Sequence, residues 1–95
     1  MNEPLVSIII PVKNGSRTIG KCLASLARLD YPAFEIIVVD DHSDDDTLAI
    51  IRSFGERVYC IAEPASIGPS CARNQAAQMA RGHYLAFTDA DCIVD

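Results

Sequence analysis

The stretch "FEIIVVDDHSDDDT" (residues 34–47) decides the fold. Its first seven residues, 34–40, form a short apolar run rich in β-branched side chains with no polar alternation. That pattern predicts a strand buried on both faces, as in the interior of a parallel sheet. Two acids, Asp40 and Asp41, stand where the run ends. Ser43 and Asp46 are then spaced as a capping box, which predicts a short helix running through Leu48 and Ile51 to about Ser53, with Gly55 as its stop.

The same alternation of elements extends in both directions. Upstream, "LVSIIIPV" (5–12) reads as another doubly buried strand closed by Pro11, and "KNGS" turns the chain. Ser16 is placed to cap a helix on which Ile19, Cys22, Leu23, Leu26 and Ala27 share one apolar face. The "LDYP" segment ends that helix before Pro32. Downstream come a third strand in "RVYCIA" (57–62), a loop in "EPASIGP", and a helix from Ser70 with Ala72, Ala76, Met79 and Ala80 on one side. Gly82 ends that helix, and "HYLAFT" (83–88) is a fourth strand. The order βαβαβαβ predicts an α/β class: a Rossmann-like, open, mainly parallel sheet in three layers. Ligands of such sheets bind outside the carboxyl ends of the strands.

Bulk properties narrow the function. Ninety-five residues make one small domain, and 49% hydrophobic content supports a packed core. A net charge of −5 argues against nucleic acid as a partner. The four cysteines, Cys22, Cys60, Cys71 and Cys92, include no C-x-x-C pair and read as thiols of a reducing compartment. No stretch has the length and character of a membrane span or a signal peptide. A cytoplasmic location is expected, with membrane association left to a longer chain.

The expected ligand edge collects Pro11 to Asn14, Asp40, Asp41, Glu63, Asp89 and Asp91. Carboxylates gathered there repel one another, and a divalent cation resolves the conflict. Mg2+ or Mn2+ shares its oxygen shell between one or two carboxylates and substrate phosphates. Neither G-x-G-x-x-G after the first strand nor G-x-x-x-x-G-K-[ST] is present, so a phosphate here would be held through metal. Asp44, Asp45 and Asp46 lack EF-hand spacing and are expected to favour the dipole of the following helix. His42 reads as a solvated loop residue.

Three ordered segments, "VSIIIPVKNG", "FEIIVVDDHSDDDT" and "GPSCARNQAAQMARGHYLAFTDADC", resemble the N-terminal half of a family 2 glycosyltransferase of the GT-A fold, with "TDADC" as the D-x-D motif. The resemblance spans nearly the whole chain. It implies that residues 1–95 are the donor-binding part of a truncated transferase domain that lacks its acceptor half. The implied reaction is inverting transfer from a UDP- or GDP-sugar to an acceptor hydroxyl. Asp41 would bond the base, Pro11 and Lys13 would line the base pocket with Asn14 beside them, and Asp89 would hold the ribose. Asp91 would ligate Mn2+ or Mg2+ on the diphosphate. Arg73 and Asn74 match the family's A-R-N segment, where Arg73 suits an anion or else pairs with a carboxylate such as Glu63. Lys13 departs from the pattern, since an aromatic residue is frequent there; its stem could still pack on the base. The general base is expected beyond Asp95, and the fragment alone is expected to be inactive. An uncovered edge at the fourth strand would invite self-association.

Other readings compete. A non-catalytic nucleotide-sugar module would share every feature above. A phosphoacceptor receiver domain resembles "IIVVDD", but there the acid pair should end the first strand. A glycosidase needs two carboxylates flanking the scissile bond, whereas Asp89 and Asp91 share one loop.

Overall fold

Each apolar run of the sequence becomes a strand, and each intervening 3.6-periodic stretch a helix. The computed structural model describes residues 4–91. It contains β1 (Val6–Val12), α1 (Ile19–Ala27), β2 (Phe34–Asp40), α2 (Thr47–Arg52), a single 3-10 turn (Gly55–Arg57), β3 (Tyr59–Ala62), α3 (Pro69–Met79) and β4 (Tyr84–Phe87). The strands form one four-stranded parallel sheet in the order β3-β2-β1-β4. The α/β class and the Rossmann-like parallel sheet expected from the sequence are what the molecule has, and the acid pair ends the second strand.

Side-chain alternation along β1 and β2 sorts the core into two layers. Ile8, Ile10, Val12, Ile36 and Val38 pack with Ile19, Leu23 and Leu26 of α1 and Ile51 of α2. Ile9, Ile37 and Val39 face Ala72 and Ala76 of α3 on the other side. Small alanines let α3 lie close to the sheet. Met79, expected on that face, is instead 44% exposed at the helix end. In α1 the buried face takes Ser25 in place of Ala27, and the Ser25 hydroxyl donates to the Cys22 carbonyl at 2.7 Å.

Pro11 lies inside β1 without breaking the ladder to β2. Thr88 N–H donates to the Ile9 carbonyl, whereas Asp41 N–H donates to that of Val12. Odd-numbered residues of β1 therefore turn their peptide groups toward β4 and even-numbered ones toward β2. The N–H that proline lacks would have pointed at β4, and pairing with β4 ends at Ile9↔Phe87.

Several local expectations give way. Neither Ser16 nor Ser43 caps a helix: α1 starts after Thr18 and α2 after Asp46, neither with a side-chain cap. Helix α3 begins one residue early, with Pro69 at its first turn and Gly68 before it at φ 86°. The third strand starts at Tyr59, because Gly55–Arg57 tightens into the 3-10 turn. The fourth strand is not buried. All four of its residues are exposed, since among the described residues only β1 pairs with it. Cys92 lies outside the described residues; of the others, Cys22 is buried and Cys71 exposed. No helix among the described residues is long and apolar enough to cross a membrane.

Candidate functional site

The carboxyl ends of β1 and β4 and the start of α3 enclose a cleft of about 310 Å³ lined by Pro11, Val12, Lys13, Gly15, Thr18, Pro69, Arg73, Asp89, Ala90 and Asp91. Five of the seven expected site residues, Pro11, Lys13, Arg73, Asp89 and Asp91, thus meet in one place. A larger concavity of about 660 Å³ lies at the opposite end of the sheet, around Phe34, Glu35, Phe54, Tyr59 and Arg81. It sits at the strands' amino ends, away from the aspartates, so the smaller cleft is the one with converging chemistry.

Arg73 reaches Asp89 at 3.9 Å, with the two side chains 39% and 70% exposed. Its partner is Asp89 rather than Glu63. The pair is loose, and solvent screens it. Its geometry places a guanidinium and a carboxylate on facing walls of the cleft. Beneath them the Cys22 thiol lies 3.7 Å from the Asp89 carbonyl oxygen.

Asn14 and Asp41 do not line the cleft; both are engaged within the chain. Asn14 adopts φ 54°, a left-handed turn conformation that asparagine tolerates. Its backbone N–H donates to Ser43 Oγ at 2.8 Å, and its amide oxygen accepts from Asp44 N–H at 2.7 Å. Gly15 N–H donates to Thr47 Oγ1 and Ser16 N–H to Asp45 Oδ2. The Thr47 hydroxyl and backbone N–H both donate to Asp45 Oδ1. These bonds, led by the Thr47 hydroxyl, hold the Asp45 carboxyl down to about 2. The "SDDDT" stretch thus clips the β1–α1 loop to the β2–α2 loop, in place of the dipole role expected of its acids. His42, exposed at φ 60°, completes the turn.

Asp41 is 4% exposed. Its Oδ1 accepts from Ile67 N–H at 2.7 Å, and its Oδ2 from Gly68 N–H at 3.0 Å and Ser66 Oγ at 3.1 Å. The Ile67 bond leads in holding its pKa below the ordinary carboxylate value, and it outweighs the upward push of burial. Lys13 Nζ in turn donates to Ser66 Oγ at 3.1 Å. Ser66 went unread in the sequence. The only signal was a hydroxyl two residues before the Gly-Pro that opens α3.

The edge carboxylates also diverge more than their sequence positions suggest. Asp40 shares the parity of Ile36 and Val38, so it turns to the α2 side, and its Oδ1 is buried without a hydrogen-bond partner. No group of three or more His, Cys, Asp or Glu residues is poised for a metal among the described residues. Among the described residues, only Asp89 and Asp91 bring carboxylates to the cleft.

Fold and cleft together define a GT-A-type α/β domain, open at the carboxyl edge of its sheet. Residues 7–95 match the model of Glycosyl transferase family 2, and the chain belongs to that family. An uncharacterized glycosyltransferase of Haemophilus influenzae is 36% identical over 94 residues, covering 96% of this chain and 38% of the relative. Staphylococcus aureus TarS 1-349 in complex with UDP-GlcNAc superposes with a TM-score of 0.86 at 35% identity, over 90% of this chain and 26% of that one. The mannosyltransferase PcManGT from Pyrobaculum calidifontis, in complex with GDP-Man and Mn2+, gives 0.88 at 31% identity, over 95% and 28%. The chain spans about a third of the length of the first three curated relatives, 31–38%, and 14–16% of the longer poly(ribitol-phosphate) transferases.

Proposed function

We propose that this chain is the donor-binding part of an inverting glycosyltransferase that uses a nucleoside diphosphate sugar. The observation that carries the reading is the convergence of Pro11, Lys13, Arg73, Asp89 and Asp91 on one cleft at the carboxyl edge of a parallel sheet. The UDP-GlcNAc and GDP-Man complexes of the two structural relatives support it.

Pro11 and the Lys13 stem form a wall for the base, Asp89 accepts from the ribose hydroxyls, and Arg73 offers its charge to the diphosphate. Asp91 supplies hard carboxylate oxygen beside Asp89. With these two carboxylates in the cleft among the described residues, the donor set fits Mn2+ or Mg2+ as an ion that fills its shell from phosphate and water. When bound, such an ion neutralises charge on the departing diphosphate. In the reaction an acceptor hydroxyl oxygen bonds the anomeric carbon as the bond to the diphosphate oxygen breaks, and a general base outside these residues takes the hydroxyl proton. Donor binding without turnover is the activity assigned to the isolated chain.

The test is calorimetric titration with UDP and with GDP, with and without Mn2+, on the chain and on Asp91→Asn. Binding that needs the ion and falls at least tenfold in the variant is expected. Ion-independent binding unaffected by the substitution would remove Asp91 from this role, and failure of both nucleotides to bind would overturn the donor-site reading.

A further inference from the structure

We infer that Thr47 and Asp45 are positioning residues of the donor site: from outside the cleft they fix the wall that the β1–α1 loop contributes to it, so that nucleotide affinity depends on a buried hydroxyl. The inference rests on the donor-site reading above.

Five of the ten residues lining the cleft, Pro11, Val12, Lys13, Gly15 and Thr18, come from the end of β1 and the loop after it. The register between β1 and β2 ends at Val12↔Asp40, so from Lys13 onward this wall lies outside the sheet. Three successive backbone N–H groups tie it down instead. Asn14 N–H donates to Ser43 Oγ at 2.8 Å, Gly15 N–H to Thr47 Oγ1 at 2.9 Å and Ser16 N–H to Asp45 Oδ2 at 3.2 Å. All three acceptors belong to the segment 43–47, and no residue of that segment lines the cleft.

Thr47 is the junction. Its hydroxyl accepts from Gly15 and gives its one proton to Asp45 Oδ1, while the other oxygen of that carboxylate holds Ser16. Hydroxyl and carboxylate therefore grip two consecutive peptides as one unit. Thr47 is fully buried, so water does not compete for its hydroxyl. A shift at Gly15 would be felt in the cleft. A Cβ there would stand 2.6 Å from Val12 Cγ2 and 3.8 Å from Ala90 Cβ, and both neighbours are lining residues. Asn14, at φ 54°, holds a conformation that persists where its surroundings impose it. Freed of the clasp, the loop samples other shapes, and apparent affinity falls with the fraction that stays competent.

The experiment titrates UDP and GDP in the presence of Mn2+ into the unaltered chain, Thr47→Val, Thr47→Ser and Asp45→Ala, with urea midpoints measured alongside. Thr47→Val keeps the shape and removes the hydroxyl. Affinity for whichever nucleotide the unaltered chain binds should fall about fivefold, the scale of one hydrogen bond lost from the competent state. Thr47→Ser, which keeps the hydroxyl, should stay within about twofold of the unaltered chain. Asp45→Ala, at an exposed position, should weaken binding in the same direction, and it carries the test if Thr47→Val does not fold. A role confined to stability would lower the urea midpoint of Thr47→Val and leave the affinity of the folded chain unchanged, which would overturn the inference. Equal losses in Thr47→Val and Thr47→Ser, or full affinity in Asp45→Ala, would overturn it as well. In each of those outcomes the donor site stands. Failure of the unaltered chain to bind either nucleotide would overturn the inference and the donor-site reading together.

Discussion

Strands β2 and β4 are both short apolar runs ending at acids, yet they live in different surroundings. Five of the seven residues of β2 are buried, between β1 and β3 and beneath helices on both faces. All four residues of β4 are exposed, with Tyr84 at 62% and Phe87 at 52%. Composition predicts a strand in both cases. Burial belongs to the neighbours, and among the described residues β4 pairs with one strand, β1.

The contrast can be broken most strongly in the centre. Ile37 is 2% exposed against α3, and Ile37→Ala should cost about 2–5 kcal/mol from lost transfer energy and a cavity. Phe87→Ala, a larger deletion in volume, should cost below about 0.5 kcal/mol, as for surface sites. Urea midpoints of the two variants measure the difference, and comparable losses would mean that β4 is covered in solution.

A smaller effect is expected where β4 enters the sheet. A Cβ at Gly82 would stand 2.5 Å from Ser7 Oγ, 2.7 Å from Ser7 N and 2.9 Å from the Leu5 carbonyl oxygen. Two of those atoms are backbone and cannot rotate away, so Gly82→Ala should cost about 1–3 kcal/mol. An unchanged midpoint would show that β4 is attached loosely enough to shift.

The smallest effect concerns the polar latch beside that glycine. Ser7 Oγ donates to Glu35 at 2.5 Å and accepts from Gly82 N–H, while Arg81 donates to Glu35 from its backbone and its guanidinium. Burial pushes the Glu35 pKa up, but the Ser7 and Arg81 bonds together outweigh it and hold the group below its ordinary value. A depressed folded pKa adds stability above the unfolded value and loses it as pH falls through the folded one. Stability should therefore decline below about pH 5, and Glu35→Gln should start lower at neutral pH and decline less steeply. Parallel acid limbs in the two proteins would assign the loss to other carboxylates.

Much of this was legible in the sequence. The order of elements, the doubly buried β1 and β2 and the cleft positions of Lys13, Asp89 and Asp91 follow from apolar runs, periodicity and strand ends, whereas Arg73 was singled out by the resemblance of its A-R-N segment. Cap positions were not legible: the Ser43 hydroxyl accepts from Asn14 N–H in the neighbouring loop instead of capping its own helix, and Ser16 lies before Thr18, after which α1 starts. Asp41 was readable as an acid at a strand end. Its capture by Ser66, Ile67 and Gly68 was not, since backbone N–H groups leave no mark in a sequence. The exposure of β4 was missed for a related reason: an apolar run does not state what packs against it.

Pro11 has a consequence for reach. A further rung between β1 and β4 would require the residue at position 11 to donate its N–H to the Thr88 carbonyl. Proline has no such hydrogen, so zipping halts there and the chain is released from the lattice of the sheet one residue before Asp89. The imino acid acts as a ruler. One more rung would hold Asp89 flat in the sheet plane with its backbone spoken for. Released at that notch, the segment from Asp89 to Asp91 is free to arch over the end of β1 toward Arg73, and the span of the arch is set by a missing atom on the neighbouring strand.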